Sequence, residues 1–217
     1  MATAERVLAT ARAELGVKES PAASNTVKYN TWYYNREVSG PTYPWCMVFV
    51  QWCFAQAAAS GLLPVRTASC GELMRAAQRA GLWVTGGYRP GDVVIYDFPG
   101  GAATDHCGIV EEARADGVIA IEGNTSERGS QSNGGMVCRK TRLQSQIVGA
   151  VRPKYQTEAA NMDNTPALAH KEGVEWALEH GILAGNAQGD LMLSQPLTRQ
   201  QFCTMMYRFA KFLGKVF

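Results

Sequence analysis

The chain has 217 residues, 46% of them hydrophobic and 18% charged, with a formal net charge of +2. That length holds one full domain and a small second one, and so even a charge balance predicts no nucleic-acid partner and no anionic membrane surface. No run approaches the ~18 apolar residues of a membrane span, so membrane insertion is not expected either.

Thr3 is placed to cap a helix over residues 4–15, with Val7, Leu8, Ala11 and Leu15 on its apolar face and Gly16 as its stop. Residues 17–43 have no clear period and gather Tyr29, Trp32, Tyr33 and Tyr34 among Asn, Ser and Pro. These aromatics either line a groove for sugar or peptide or pin a long loop to the core. From Pro44 to Ala57 the chain is apolar nearly all the way round, interrupted strongly only by Gln51 and Gln56. That is the character of a helix buried on most faces. Ser69 and Glu72 have the spacing of a capping box, opening a third helix through Ala80 with Gly81 beyond it.

After Gly86-Gly87 the pattern changes to strands, expected over 92–98, 106–113, 118–122, 136–142 and 147–152, with a tight hairpin at Asp116-Gly117. Helices first and consecutive strands after predict an α+β domain with an antiparallel sheet. Residues 1–154 are read as this domain, 155–164 as a linker and 165–217 as a helical module. In the module, Thr165 and Pro166 open one helix running to His180, and Thr198 with Gln201 opens another carrying Phe202, Met205, Met206 and Phe209. A pair of helices this small leans on a neighbour.

Cys46 stands at the start of the buried helix, where free backbone N–H groups and the helix dipole favour a thiolate. On the helix alone, a small core residue is the commoner reading of such a cysteine. The six cysteines include no C-x-x-C pair and no histidine at zinc-finger spacing, so neither a zinc site nor a disulfide framework is expected, and Cys53 reads as core. The first residues lack a basic segment followed by an apolar one, so no secretory signal is expected and the protein folds in a reducing cytoplasm.

A cysteine nucleophile needs a base and a group to orient that base. Of three histidines, only His106 precedes a strand of the first domain; His170 and His180 fall in the module. Glu122 and Asn124, two apart on the next strand, share a face, and either can accept the ring N–H of His106 and direct its other nitrogen toward Cys46. The backbone N–H of Cys46 is the natural oxyanion donor, with Tyr43 or an earlier tyrosine as a candidate second.

Four blocks carry a family likeness: Trp45-Cys46-Met47-Val48-Phe49-Val50-Gln51-Trp52, Pro90-Gly91-Asp92-Val93-Val94-Ile95, His106-Cys107-Gly108-Ile109-Val110-Glu111-Glu112, and Glu122-Gly123-Asn124. In this order they resemble the CHAP family, cysteine- and histidine-dependent amidohydrolases/peptidases of papain-like fold that cleave bacterial peptidoglycan. The resemblance implies N-terminal helices packed on an antiparallel sheet, with Cys46 as nucleophile, His106 as base, Glu122 as its orienting group and Asn124 as a supporting polar residue. Tyr43 and Trp45, just ahead of the cysteine, are the candidate substrate contacts. Some members bind calcium through an Asp-rich loop ahead of the cysteine; nothing of that form precedes Cys46, so no metal and no cofactor are expected.

The C-terminal segment is similar to a single S-layer homology module, through Val174-Glu175-Trp176-Ala177, Gly181-Ile182-Leu183-Ala184-Gly185 and Leu197-Thr198-Arg199-Gln200-Gln201-Phe202. Such modules bind wall polysaccharide. Gln201 stands where their motif has Glu, and Arg199 is the candidate ligand contact. The alternative for this segment is a packing or oligomerisation appendage. Together the resemblances imply a hydrolase of Gram-positive peptidoglycan of the bacteriophage endolysin type, made in the host cytoplasm and acting at the wall as an amidase or an endopeptidase. A catalytically inert wall binder and an injected antibacterial effector are the alternatives.

Overall fold

A computed structural model describes residues 2–99, 104–156, 163–186 and 189–215. The chain divides into two compact units, residues 1–156 and 157–217. Most of the expected linker, 157–162, lies outside the described residues. No helix among them is long and apolar enough to cross a membrane.

In the first unit, helices α1 (Ala4–Ala13), α2 (Lys28–Tyr34), α3 (Cys46–Gln56) and α4 (Cys70–Arg79) precede six strands, β1 (Trp83–Val84), β2 (Val93–Tyr96), β3 (His106–Arg114), β4 (Gly117–Thr125), β5 (Met136–Leu143) and β6 (Ile147–Val151). The strands form one sheet in the order β1-β6-β2-β3-β4-β5, with every pairing antiparallel. The mixed α+β class with helices ahead of an antiparallel sheet is therefore as the sequence predicts.

The sheet sorts its side chains by the two-residue period of a strand. Val93, Ile95, Cys107, Ile109, Ile121, Val137 and Val151 join the helices in the main core. Val94, Tyr96, Val110, Val118, Ala120 and Ala150 form a second cluster with Tyr88. α3 is the hub, burying Met47, Val48, Phe49, Val50, Cys53 and Phe54 completely. Its one buried polar side chain, Gln51, donates from Nε2 to the carbonyl of Val65 at 3.1 Å, which removes the cost of an unpaired buried amide.

Where α3 lies on β4, the sheet carries Gly123. A Cβ there would stand 2.6 Å from Cβ of Phe49 and 2.9 Å from Cζ3 of Trp45, closer than real side chains approach. Gly123→Ala must push the helix off the sheet, and overpacking of this kind costs about 1–3 kcal/mol. Urea unfolding should show the midpoint falling by the corresponding amount; an unchanged midpoint would refute the close contact.

Local chemistry departs from expectation in four places. Residues 28–34 form α2, although the sequence shows no period there, because Tyr29 is pulled inward. Its hydroxyl donates to Glu14 at 2.6 Å, and its ring meets Trp45, Phe49 and Trp52 at 5.1–5.4 Å. The short strand β1 also has no sequence signal. At α4 only half of the capping box forms: the Glu72 N–H donates to Ser69 Oγ at 3.2 Å, but the Glu72 carboxylate accepts from Thr67 Oγ1 instead. In the second unit the first helix begins with a 3-10 turn at Leu168–His170 and becomes α-helical (α5) only over Lys171–Glu179, later than the Thr165-Pro166 signal.

α6 (Arg199–Phe212) has the full capping box, Thr198 and Gln201 each bonding the other's backbone N–H. Ile182 is the one buried hydrophobic residue of this unit among those described, whereas Leu168, Leu197, Phe202, Tyr207 and Phe212 are exposed. A cavity of about 440 Å³ lies against α6, lined in part by Leu191, Met192, Thr198, Gln201 and Arg208.

Candidate active site

Cys46 is the first residue of α3, and Trp45 at the N-cap contributes no side-chain bond to the helix start. The first N–H groups of a helix have no intrahelical partner, so they present partial positive charge beside the sulfur. Cys46 is 5% exposed and His106 fully buried.

His106 opens β3 and is framed by neighbouring strands. β2 pairs Tyr96 with His106, and the two rings stack at 6.0 Å with 22° between planes. β4 supplies Glu122, whose Oε2 lies 3.1 Å from His106 Nε2. That contact leaves Nδ1 as the free ring nitrogen, buried and without a hydrogen-bond partner. Gly108, two residues on, makes room for the carboxylate: a Cβ there would stand 2.6 Å from Glu122 Cγ.

Arg142 on β5 completes the frame, and nothing in the sequence reading singled it out. Its guanidinium donates through Nε to Glu122 Oε1 at 2.8 Å and through Nη2 to Oε2, and through Nη1 to Gln131 at 2.8 Å. The fork is the geometry in which arginine holds a carboxylate most strongly. The group also lies 4.8 Å and 5.3 Å over the rings of Phe98 and Tyr96. The available signal was phase: Arg142 falls on the same face of β5 as Cys138, which pairs with Glu122.

The ionisation states follow from these contacts. Burial alone would raise the Glu122 pKa, but Arg142 and His106 outweigh it and hold the carboxyl below its usual value. Burial alone would depress His106, yet Cys46 and Glu122 together raise its pKa from 6.5 to about 9. The thiols of Cys107 and Cys70, facing the sulfur of Cys46, and then His106, pull the Cys46 pKa well below the ordinary thiol value against the opposing effect of burial. These contacts push Cys46 toward the thiolate and His106 toward the imidazolium.

The remaining sequence candidates lie as follows. Asn124, in a left-handed conformation (φ 56°) at the irregularity where β4 leaves β5, does not bond His106. Its amide donates to Asn133 Oδ1 and its Oδ1 accepts from the Gly135 N–H, both at 3.2 Å, so it orders the loop after β4. Trp45 is fully buried, its indole N–H donating to Glu19 at 3.4 Å, which makes it a core residue beyond reach of a ligand, contrary to the expected substrate contact. Tyr43 is half-buried and meets Tyr34 edge-on at 5.1 Å. With Trp32 and Tyr33 these rings form a partly exposed aromatic row, flanked by Arg66 at 4.1 Å over Tyr33. Arg199 is exposed and outside the lining of the cavity in the second unit, where Arg208 stands instead.

Folding also gathers cysteines that are distant in the chain. Cys46, Cys70 and Cys107 place their sulfurs within 4.8 Å of one another, and this is the one group of three or more potential metal-ligating side chains among the described residues.

No curated protein matches the sequence significantly. Among solved structures, the chain is similar to Ly7917 (16% identity, TM-score 0.40, covering 70% of this chain and 62% of that one). It is also similar to Ly7917 with the hydrolyzing product of MDP (18% identity, TM-score 0.40, covering 70% and 63%). A third is the wild-type endolysin LysIME-EF1 (16% identity, TM-score 0.42, covering 87% and 89%). The chain spans less than two thirds of the length of Ly7917. Residues 38–124, which contain Cys46, His106 and Glu122, match the CHAP domain family.

Proposed function

We propose that the protein is a peptidoglycan hydrolase that cleaves an amide bond of the bacterial wall by cysteine nucleophilic catalysis. The observation that carries this reading is a thiol of depressed pKa at a helix start, beside an imidazole whose far nitrogen is held by a buried carboxylate. The CHAP match over the same residues supports peptidoglycan as the substrate class.

In this mechanism the Cys46 thiolate adds to the amide carbonyl, and the negative charge passes to the carbonyl oxygen beside the backbone N–H of Cys46. The imidazolium of His106 gives its Nδ1 proton to the leaving amine as the C–N bond breaks, leaving a thioester. Neutral His106 then takes a proton from water, which attacks the thioester and frees Cys46. Glu122, fixed by Arg142, keeps the ring oriented throughout. The aromatic row of Trp32, Tyr33, Tyr34 and Tyr43 supplies flat half-exposed surface of the kind that sugar rings and peptide planes stack on.

Purified Gram-positive walls incubated with the full chain should release fragments resolvable by mass spectrometry. New amino termini within peptides identify an endopeptidase, and intact stem peptides freed from glycan identify an amidase. Walls left whole would favour the inert binder and end this reading. The second unit, on the same reading, holds the enzyme to wall polysaccharide through its 440 Å³ cavity. Equal co-sedimentation with intact walls and with walls stripped of polysaccharide would remove that part.

The pH dependence has a definite sign. The thiolate persists above the lowered Cys46 pKa, and the imidazolium persists below about 9. Thus kcat/KM should fall as pH rises through about 9, where the general acid is lost. Activity still climbing beyond that point would contradict the assignment. Stability moves with the same groups. The raised His106 pKa contributes stability fully present below its unfolded value of 6.5 and lost as pH rises through about 9. The lowered Glu122 pKa contributes stability present above 4.5 and lost as pH falls through the folded value.

A further inference from the structure

The three-thiol group at the start of α3 exceeds what cysteine catalysis needs. One sulfur and one imidazole suffice for acyl transfer, yet Cys70 from the start of α4 and Cys107 from β3 converge on the same point. The Cys46 and Cys70 sulfurs are 4.0 Å apart, and all three lie within 4.8 Å of one another. A tetrahedral thiolate site with metal–sulfur bonds of about 2.3 Å sets its sulfurs about 3.8 Å apart. The Cys46–Cys70 separation is already near that figure, and the widest possible separation needs a shift of roughly 1 Å, within reach of a rotamer adjustment.

A buried histidine stands beside the thiols. His106 is wholly buried with Nδ1 unpartnered, while Nε2 faces Glu122 at 3.1 Å. A histidine that ligates a metal commonly gives its other ring N–H to a carboxylate, which fixes the ring and raises the basicity of the ligating nitrogen. His106 is held in this way, but neither ring nitrogen lies within 4.8 Å of all three sulfurs, so the ring stands beside the group and is not a member of it. Cys46 and Cys70 keep 5% and 6% exposure, so the group meets solvent at its edge.

We propose that Cys46, Cys70 and Cys107 form a three-thiolate site, its fourth position open to water, for a thiophilic divalent cation of the Zn²⁺ type, whose binding withdraws Cys46 from catalysis. Sulfur donors select Zn²⁺ and its relatives over Ca²⁺ and Mg²⁺, which take oxygen. The thiols that are protonated release their protons to solvent as the metal–sulfur bonds form. The ion and a wall substrate compete for one sulfur, so the site is inhibitory and needs no resident metal. The inhibition rests on the hydrolase reading above; the binding does not.

Binding is therefore measured first, on the full chain under a phosphine reductant and without substrate. Calorimetric titration with ZnCl₂ should show one ion per chain, and CoCl₂ should give the thiolate-to-cobalt charge-transfer and tetrahedral d–d bands. Cys70→Ser and Cys107→Ser should each weaken Zn²⁺ binding ~100-fold or more, and Cys203→Ser, in the second unit, should leave it unchanged. No saturable binding, a cobalt spectrum lacking thiolate bands, or binding undiminished in either Cys70→Ser or Cys107→Ser overturns the proposal. The cobalt spectrum needs no variant, so it decides even where a substitution unfolds the chain. Wall lysis is measured second, and Zn²⁺ should suppress it reversibly on chelation. Tight binding by a chain that releases no wall fragments would leave the site standing and remove the hydrolase reading alone.

Discussion

Cys46→Ala should abolish wall hydrolysis while leaving the fold intact. In the proposed mechanism the thiolate makes and breaks the covalent bond to substrate, and deleting such a group costs ~10⁴-fold or more in rate. The nearest sulfur is Cys70, 4.0 Å away. It cannot stand in, because Cys46 and burial raise the Cys70 pKa well above the usual thiol value despite the opposing contact from Cys107, so it remains protonated. Fragment release from walls, measured beside far-ultraviolet circular dichroism, checks both halves of the expectation. Residual lysis at a tenth of the parent rate would show that the reacting sulfur lies elsewhere.

Arg142→Met is expected to be the most destabilising single change in the site. Glu122 is entirely buried and Arg142 is 3% exposed. Removing one member of a buried ion pair leaves the other charge uncompensated, at a cost of about 3–5 kcal/mol, or roughly 10 °C in Tm for a chain of this size. Arg142 acts on chemistry only through Glu122 and His106, so it is a positioning residue. Its loss should also move the alkaline limb of the pH–rate profile, which a purely structural role would not do. Arg142→Lys restores the charge without the two-pronged contact and should recover part of the stability. A Tm within ~2 °C of the parent in Arg142→Met would mean that the pair contributes nothing.

The elements that were legible in the sequence are those whose pattern is local. The all-round apolar run of α3 and the runs of strand-forming residues in β2 to β6 need only their own residues to declare themselves. α2 was not legible because its N-cap, Val27, offers no side-chain bond and its inward turn depends on Glu14 and on rings from α3. Cys46, His106 and Glu122 could be picked out by residue type, order and family likeness. Arg142 could not, since its bond to Glu122 spans 20 residues and runs diagonally across two strands. Cys70 and Cys107 were invisible for the same reason. They belong to different elements, and no spacing rule links a helix start to a strand on the far side of the chain.

His106, Glu122 and Arg142 come from three consecutive strands, with 16 and 20 residues between successive members. Such a meander closes short loops and can assemble early, whereas Cys46, the proposed nucleophile, arrives from a helix well upstream. The proton-handling half of the site can thus exist before the nucleophilic half, and the two meet only when α3 seats against Gly123. Until then Cys46 behaves as an ordinary thiol, slow to alkylate at neutral pH. The moment at which iodoacetamide begins to react quickly during refolding is therefore a clock for helix docking, with the future nucleophile as its own reporter.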